Sequence, residues 1–279
     1  MADLRTFLLF APDEHLMDSS GDARVLAVQK CSLEARIKCV PADPRIVLVP
    51  GGFTGAWMWA DVVALLEREG LEALAVELPT IGDVSAGADF YADAARVRAV
   101  LDRLGPPVVL CGHSYGGAVI TEAASGPHSA VRELVFLMAA VPDAGDSMVS
   151  LMSGAAAQEP AAEAEGVTVR DDGLAFLNRE PARRALFNDC SPEHAEEGLA
   201  KLRPMSLAGA DQPVREAAWR QLPSLYVRGS EDLMPEAVAS SFLEHATQVV
   251  EFPTGHCPNW SRPDLVAQLL AERARLVAF

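Results

Sequence analysis

The apolar run Pro107-Val108-Val109-Leu110-Cys111 passes without a break into Gly112-His113-Ser114-Tyr115-Gly116, and this junction limits the fold more than any other stretch. A short, β-branched run of this kind suits a strand covered on both faces. A helical pattern begins at once, near Gly117-Ala118-Val119-Ile120. A strand and a helix meet over so few residues only through a sharp, strained turn, where a side chain at either glycine would strike the neighbouring strand or helix. The turn lifts the Ser114 hydroxyl above the sheet, at the N-terminal end of the following helix.

The same alternation recurs along the chain. Residues 46–49 read as a fully apolar strand, followed by the glycine-rich turn 50–55 and a helix with Trp57, Val62, Val63, Leu65 and Leu66 on its apolar side. A strand at 74–77, an alanine-rich helix from about 85 to 104 and a strand at 134–138 continue the pattern. Repeated strand–helix–strand units predict a parallel sheet with helices on both faces. Residues 25–28 and 35–40 are expected as two antiparallel edge strands, and 1–24 as a poorly ordered leader.

Between about 143 and 222 the alternation stops. Helical patterns are read near 174–177, 181–187 and 192–202, and the stretch is too long for a plain connection, which predicts an inserted helical cap. Strand 224–227, a helix near 235–246, strand 249–252 and an amphipathic helix over 263–277 then resume the α/β pattern. The expected division is a core of 25–142 and 223–279 with a cap of 143–222.

Composition excludes several function classes. A chain of 279 residues, half of them hydrophobic, can bury one substantial core. Its formal charge of −16 repels nucleic acid and anionic membrane surfaces, so neither is an expected partner. No apolar run approaches the roughly 18 residues of a membrane span, and Phe7-Leu8-Leu9-Phe10-Ala11 is too short for a signal-peptide core, so a cytoplasmic location is expected. Cys31, Cys39, Cys111, Cys190 and Cys257 are odd in number and lack paired metal-ligand spacing, which suits free thiols and no zinc site.

Gly-Xaa-Ser-Xaa-Gly between strand and helix has the form of a nucleophile elbow. A serine hydroxyl is a poor nucleophile at neutral pH and needs a base in reach and a group to orient that base. His256 is the best-placed base, in the loop between the last strand and the last helix, which opens at the same carboxyl edge as the elbow. His113 is expected to pack beneath the turn, and His15, His128, His194 and His245 to be solvated. The acid should lie between Ser114 and His256 in chain order. Asp232 in Gly229-Ser230-Glu231-Asp232 is preferred over its neighbour Glu231, and Asp143 is the rival. For the oxyanion, the Tyr115 N–H is one donor and Gly52 the second, with Phe53 as alternative. Turn 50–55 lacks the Lys-Ser/Thr ending of a phosphate loop.

Taken as a set, these segments resemble the α/β-hydrolases, in the small-esterase branch that includes plant methylesterases, hydroxynitrile lyases and bacterial carboxylesterases. The first signature of that branch reads His-Gly-Xaa-Xaa-Xaa-Gly-Ala-Trp, and Pro50-Gly51-Gly52-Phe53-Thr54-Gly55-Ala56-Trp57 matches except at Pro50. The elbow 112–117 and the segments 223–232 and 255–263 match in the same order; residues 1–44 are not covered. The resemblance implies an eight-stranded, mostly parallel sheet with a helical cap, a Ser114–His256–Asp232 triad, and no metal or organic cofactor. It further implies a small-molecule ester as substrate, cleaved through an acyl-serine, with Phe53 as a substrate-binding residue; a homodimer is left open. Alternatives are hydroxynitrile lyase or perhydrolase chemistry, or a binding protein that kept the pocket without the reaction. Lyases of the branch use a lysine after the catalytic histidine and a threonine in the first turn; here those positions hold Cys257 and Gly51. Met148, Leu151, Met152, Leu177, Phe187 and Trp219 are candidate pocket residues of the cap.

Overall fold

The computed structural model describes residues 45–84, 87–158, 166–246 and 248–278. In chain order it contains β1 (Arg45–Val49), α1 (Ala60–Arg68), β2 (Glu72–Ala75), α2 (Phe90–Leu104), β3 (Val108–His113), α3 (Tyr115–Ala123) and β4 (Val131–Leu137). There follow α4 (Met148–Gln158), β5 (Val167–Val169), β6 (Leu174–Leu177), α5 (Arg179–Leu186), α6 (Pro192–Ala200) and β7 (Met205–Ser206). The chain ends with β8 (Ser224–Gly229), α7 (Ser240–Leu243), β9 (Val249–Phe252), α8 (Pro258–Ser261) and α9 (Pro263–Val277).

Six strands form one sheet in the order β2-β1-β3-β4-β8-β9, every neighbouring pair parallel. The parallel arrangement is the one expected, and six of the eight expected strands lie among the described residues. The other two expected strands, 25–28 and 35–40, lie outside the described residues, as does the expected leader. The order reverses at β1, which has β2 on one side and β3 on the other, and the carboxyl ends of strands at such a switch point open a crevice. Register brings the relevant loops level: Val49 pairs with Gly112, and His113 with Leu137. The turn after β1, Ser114 after β3 and Met138 after β4 therefore emerge side by side.

Strand alternation explains why the central strands are apolar on both faces. Val47, Val49, Leu110, Leu134 and Phe136 join one buried cluster with Phe90, Val97 and Leu101 of α2 and Val119 of α3. Ile46, Leu48, Val109, Cys111, Val135 and Leu137 join another with Val62 and Leu66 of α1 and Leu270 and Ala274 of α9. Each fully buried Val or Leu side chain contributes roughly 1.5–3 kcal/mol, so both faces must be covered. The exception in β4, Glu133, is 1% exposed and pairs with Arg273 of α9.

Three local expectations are corrected. The alanine-rich helix starts at Phe90 and not near 85, because Gly87 adopts φ 75° and the Asp89 carboxylate caps the helix by accepting from Ala92 N–H at 2.9 Å. Residues 174–177 form strand β6 and no helix: Asp172-Gly173, with φ 80° at the glycine, turns the chain into an antiparallel β5–β6 hairpin. The segment between β4 and β8 is therefore not purely helical; it carries the three-stranded sheet β5-β6-β7 beside its helices. The helix expected over 235–246 is a 3-10 turn, Glu236–Ala239, followed by the one-turn α7. Among the described residues no helix is long and apolar enough to cross a membrane.

Candidate active site

Ser114 sits between β3 and α3 with φ 52°, a conformation that strains any residue bearing a Cβ. Its backbone is pinned from both sides: its N–H donates to Leu137 O at 3.2 Å, and its carbonyl accepts from Gly117 N–H at 3.0 Å and Ala140 N–H at 3.1 Å. The flanking glycines are set by close approach. A Cβ on Gly112 would lie 2.5 Å from Gly116 O, and one on Gly116 would lie 2.6 Å from Val49 O. The strand, the turn and the first turn of α3 thus fit against β1 only without those side chains.

His256 Nε2 lies 3.0 Å from Ser114 Oγ. Its Nδ1 faces both Asp232 carboxylate oxygens, at 3.1 and 3.0 Å. A carboxylate only accepts, so the proton of a neutral His256 sits on Nδ1 and the Nε2 lone pair points at the serine. Asp232 is oriented in turn by Met234 N–H, which donates to Oδ1 at 2.9 Å. His256 is 2% exposed and Ser114 is half-buried, so the serine is the accessible end of the relay.

The rival acids are elsewhere. Asp143 accepts from Arg220 Nε at 2.8 Å and from its Nη2, and this guanidinium holds the Asp143 carboxyl below the usual range. Glu231 is exposed beside Asp232 and makes no contact with His256 among the described residues. His113 is 1% exposed beneath the turn and donates Nε2–H to His256 O at 2.9 Å. Burial, and then the nearby His256, push the His113 pKa down to about 3, so it is neutral. His245 is exposed as expected, whereas His128 is buried against Asp102 and His194 stacks on Trp260 at 4.4 Å. His15 lies outside the described residues.

Beside Ser114 the N–H groups of Tyr115, Gly52 and Phe53 have no acceptor among the described residues. A Cβ built on Gly52 would stand 3.8 Å from Tyr115 Cβ, which places the two turns against each other. Phe53 is half-buried with φ 62°, and its carbonyl accepts from Arg203 N–H at 2.8 Å.

Sequence reasoning missed the supports of this corner. The Tyr115 hydroxyl donates to Asp93 Oδ2 at 2.8 Å, and Thr80 donates to the same carboxylate from its hydroxyl at 2.6 Å and its N–H at 3.0 Å. Asp93 is fully buried on α2 and burial raises its pKa. An acidic residue at a helix position otherwise facing the core was the available signal. Met205 of β7 brings its Sδ within 3.1 Å of a Cβ built on Gly52; a two-residue strand leaves no periodicity to read. Among the proposed pocket residues, Phe187 is 1% exposed within the core, and Trp219 packs on Phe242 and donates to Pro142 O at 2.9 Å, so both serve packing. Cys111, Cys190 and Cys257 are free thiols raised by burial, Cys190 to about 12; Cys31 and Cys39 lie outside the described residues.

Residues 46–269 match the model of the alpha/beta hydrolase family. The chain is 29% identical over 247 residues to the alpha/beta hydrolase nvfD of Aspergillus novofumigatus, covering 83% of this chain and 96% of that protein. It is 30% identical over 252 residues to a carbendazim hydrolyzing esterase of Nocardioides sp., covering 81% and 98%. Among solved structures, polyneuridine aldehyde esterase superposes with a TM-score of 0.72 at 23% identity, covering 84% of this chain and all of that one. A six-stranded parallel sheet with its strained serine at the switch point, and a family match running from β1 into α9, have one reading: the chain belongs to the alpha/beta hydrolase family.

Proposed function

We propose that this protein is a serine esterase that cleaves a small carboxylic ester through an acyl-serine intermediate. The observation that carries the reading is the continuous relay Ser114 Oγ, His256 Nε2, His256 Nδ1, Asp232, with its contacts of 3.0 to 3.1 Å. The esterase names of related chains support it. Ser114 Oγ attacks the ester carbonyl while His256 Nε2 takes its proton, and Asp232 stabilises the imidazolium that forms. The Tyr115 N–H and that of Gly52 or Phe53 hold the oxyanion. The intermediate collapses, His256 hands the proton to the departing alcohol, and water repeats the cycle on the acyl-enzyme to release the acid and restore Ser114. Phe53, beside the oxyanion turn, borders the bound ester.

Cyanohydrin cleavage is disfavoured on electrostatic grounds. A departing cyanide needs a positive group near the base, yet the residue after His256 is Cys257, fully buried, its thiol kept protonated by burial. Gly51 offers no hydroxyl. Hydrolysis of p-nitrophenyl acetate with no mandelonitrile cleavage above background is expected. Ser114→Ala should fold normally and lose kcat by roughly 10⁴-fold or more; near-normal ester turnover in that variant would sink the assignment, and a wild-type chain that releases cyanide faster than it hydrolyses any ester would overturn the choice of reaction.

A further inference from the structure

Two adjacent residues that follow α5, Asn188 and Asp189, bond to both loops that carry the base and the acid. Asn188 Nδ2 donates to Glu231 O at 2.8 Å, the carbonyl just before Asp232. Asp189 Oδ2 accepts from Gly255 N–H at 2.9 Å, the amide just before His256, and from Ser261 Oγ at 2.6 Å in α8. The two loops are also tied to each other, Glu231 N–H donating to Thr254 O at 3.0 Å and Ser230 N–H to Phe252 O at 2.9 Å. Asn188 and Asp189 therefore close a ring: cap segment to acid loop, acid loop to base loop, base loop to cap segment.

The approach is tight. A Cβ on Gly255 would overlap Asn188 Oδ1 and lie 3.0 Å from Asp189 Oδ1, so a side chain at 255 would push the pair out of these bonds. The pair is itself anchored by Phe187, buried in the core, against whose ring a Cβ on Gly198 would lie 2.7 Å away. A carboxylate accepting a backbone N–H and a hydroxyl makes strong, charge-assisted bonds.

We propose that Asn188 and Asp189 are positioning residues that fix His256 and Asp232 relative to Ser114, so that the seating of the 143–222 segment sets the alignment of the relay. This rests on reading Ser114, His256 and Asp232 as the triad. A displacement near 1 Å between reacting groups costs roughly 10²-fold in rate. Holding the residue before each functional side chain limits that displacement without touching substrate.

The test uses the full chain with two readouts, p-nitrophenyl acetate turnover and the rate of Ser114 labelling by a fluorophosphonate. Asp189→Ala is expected to slow labelling and lower kcat by roughly 10–100-fold, with KM within about twofold of the wild type. Asp189→Asn keeps an Oδ1 acceptor for the Gly255 N–H and is expected to recover to within about fivefold. Recovery by the isosteric variant separates alignment from mere docking of the segment. If Asp189→Ala does not fold, Asn188→Ala carries the test, with a several-fold fall in kcat expected at unchanged KM. A wild-type kcat in the folded variants, or a rise in KM alone, overturns the inference while leaving the triad reading intact. Labelling of Ser114→Ala at the wild-type rate would overturn the triad reading and this inference with it.

Discussion

The residue before Ser114 holds the histidine that faces it: His113 donates Nε2–H to the backbone carbonyl of His256 across 2.9 Å, with the two rings 5.0 Å apart. A carbonyl only accepts, so this bond fixes the His113 tautomer and needs the ring to be neutral or doubly protonated. Burial settles which. With its pKa held down to about 3, His113 stays neutral, so in the proposed mechanism the positive charge formed at His256 would reside on one ring only.

That assignment makes acid stability a measurable property of His113. The side chain titrates near 6.5 in the unfolded chain and near 3 in the folded one. Between those values the unfolded state binds more protons, so His113 contributes stability that is fully present above about 6.5 and is lost as pH falls toward 3. The whole window is worth on the order of 5 kcal/mol. His113→Gln keeps an Nε2 donor within reach of His256 O and removes the titration. Its melting temperature should fall less steeply than the wild type's between pH 6.5 and 3. Parallel curves for the two proteins would show that His113 is not the buried neutral group described.

Asp232→Asn and Asp143→Asn should behave differently. The first replaces the acceptor of His256 Nδ1–H, lets the imidazole take the wrong tautomer and should cost roughly 10⁴-fold in kcat with the fold retained. The second breaks a half-exposed ion pair with Arg220, worth about 0–1 kcal/mol, and should leave kcat within about threefold. Steady-state kinetics on both decide the matter: a greater loss in Asp143→Asn would move the acid to the loop after β4.

Much of this arrangement was legible before any coordinates. The strands that carry Ser114, Asp232 and His256 are short apolar runs, each flanked by proline or glycine on at least one side, so their type and order follow from the sequence pattern, and loop placement follows from the parallel sheet. The preference for Asp232 over Asp143 rests in the sequence on chain order and loop placement alone, because both aspartates follow strands on the same edge; the side-chain direction and the Arg220 guanidinium are what the structure adds. Residues 174–177 form a strand where a helix is expected, since four apolar residues carry no period and the Asp172-Gly173 turn signal outweighs them. Polar neighbours in sequence do not reveal the tertiary partners of His128 and His194, Asp102 and Trp260. The supports at Asp93, Thr80, Asn188 and Asp189 act through contacts between distant segments, which a single sequence does not record.

The tether between Tyr115 and Asp93 predicts a graded effect. Tyr115→Phe keeps the ring and the backbone N–H but removes one of three donors to a fully buried carboxylate. The unpaired capacity should cost about 1–3 kcal/mol, at about 2–4 °C in melting temperature for each kcal/mol. Activity should fall by well under the roughly 10²-fold of losing an oxyanion donor outright, since the N–H is loosened and not removed. Thermal melts and kcat on the same preparation check both parts; a variant as stable as wild type would mean that Asp93 does not need the tyrosine.

Glycines on the two sides of the site should differ sharply in what they tolerate. A Cβ on Gly116 would stand 2.6 Å from Val49 O and 2.7 Å from Pro50 O, both main-chain atoms at the end of β1. Relief requires moving the strand end that carries the Gly52–Phe53 turn, so Gly116→Ala should lose soluble protein or melt well below the wild type, and the folded remainder should be impaired. The one tight neighbour of a Cβ on Gly52 is the flexible thioether of Met205, at 3.1 Å. Overpacking of about 1 kcal/mol or less is expected there, because an unbranched side chain can rotate aside. Gly52→Ala should therefore fold and melt within about 4 °C of the wild type, while its preference among esters of different acyl length changes as Met205 is displaced over the oxyanion turn. Melting curves for the pair, with kcat/KM for acetate, butyrate and octanoate esters, test the contrast. A Gly116→Ala protein that melts with the wild type would show that the elbow is not wedged against β1.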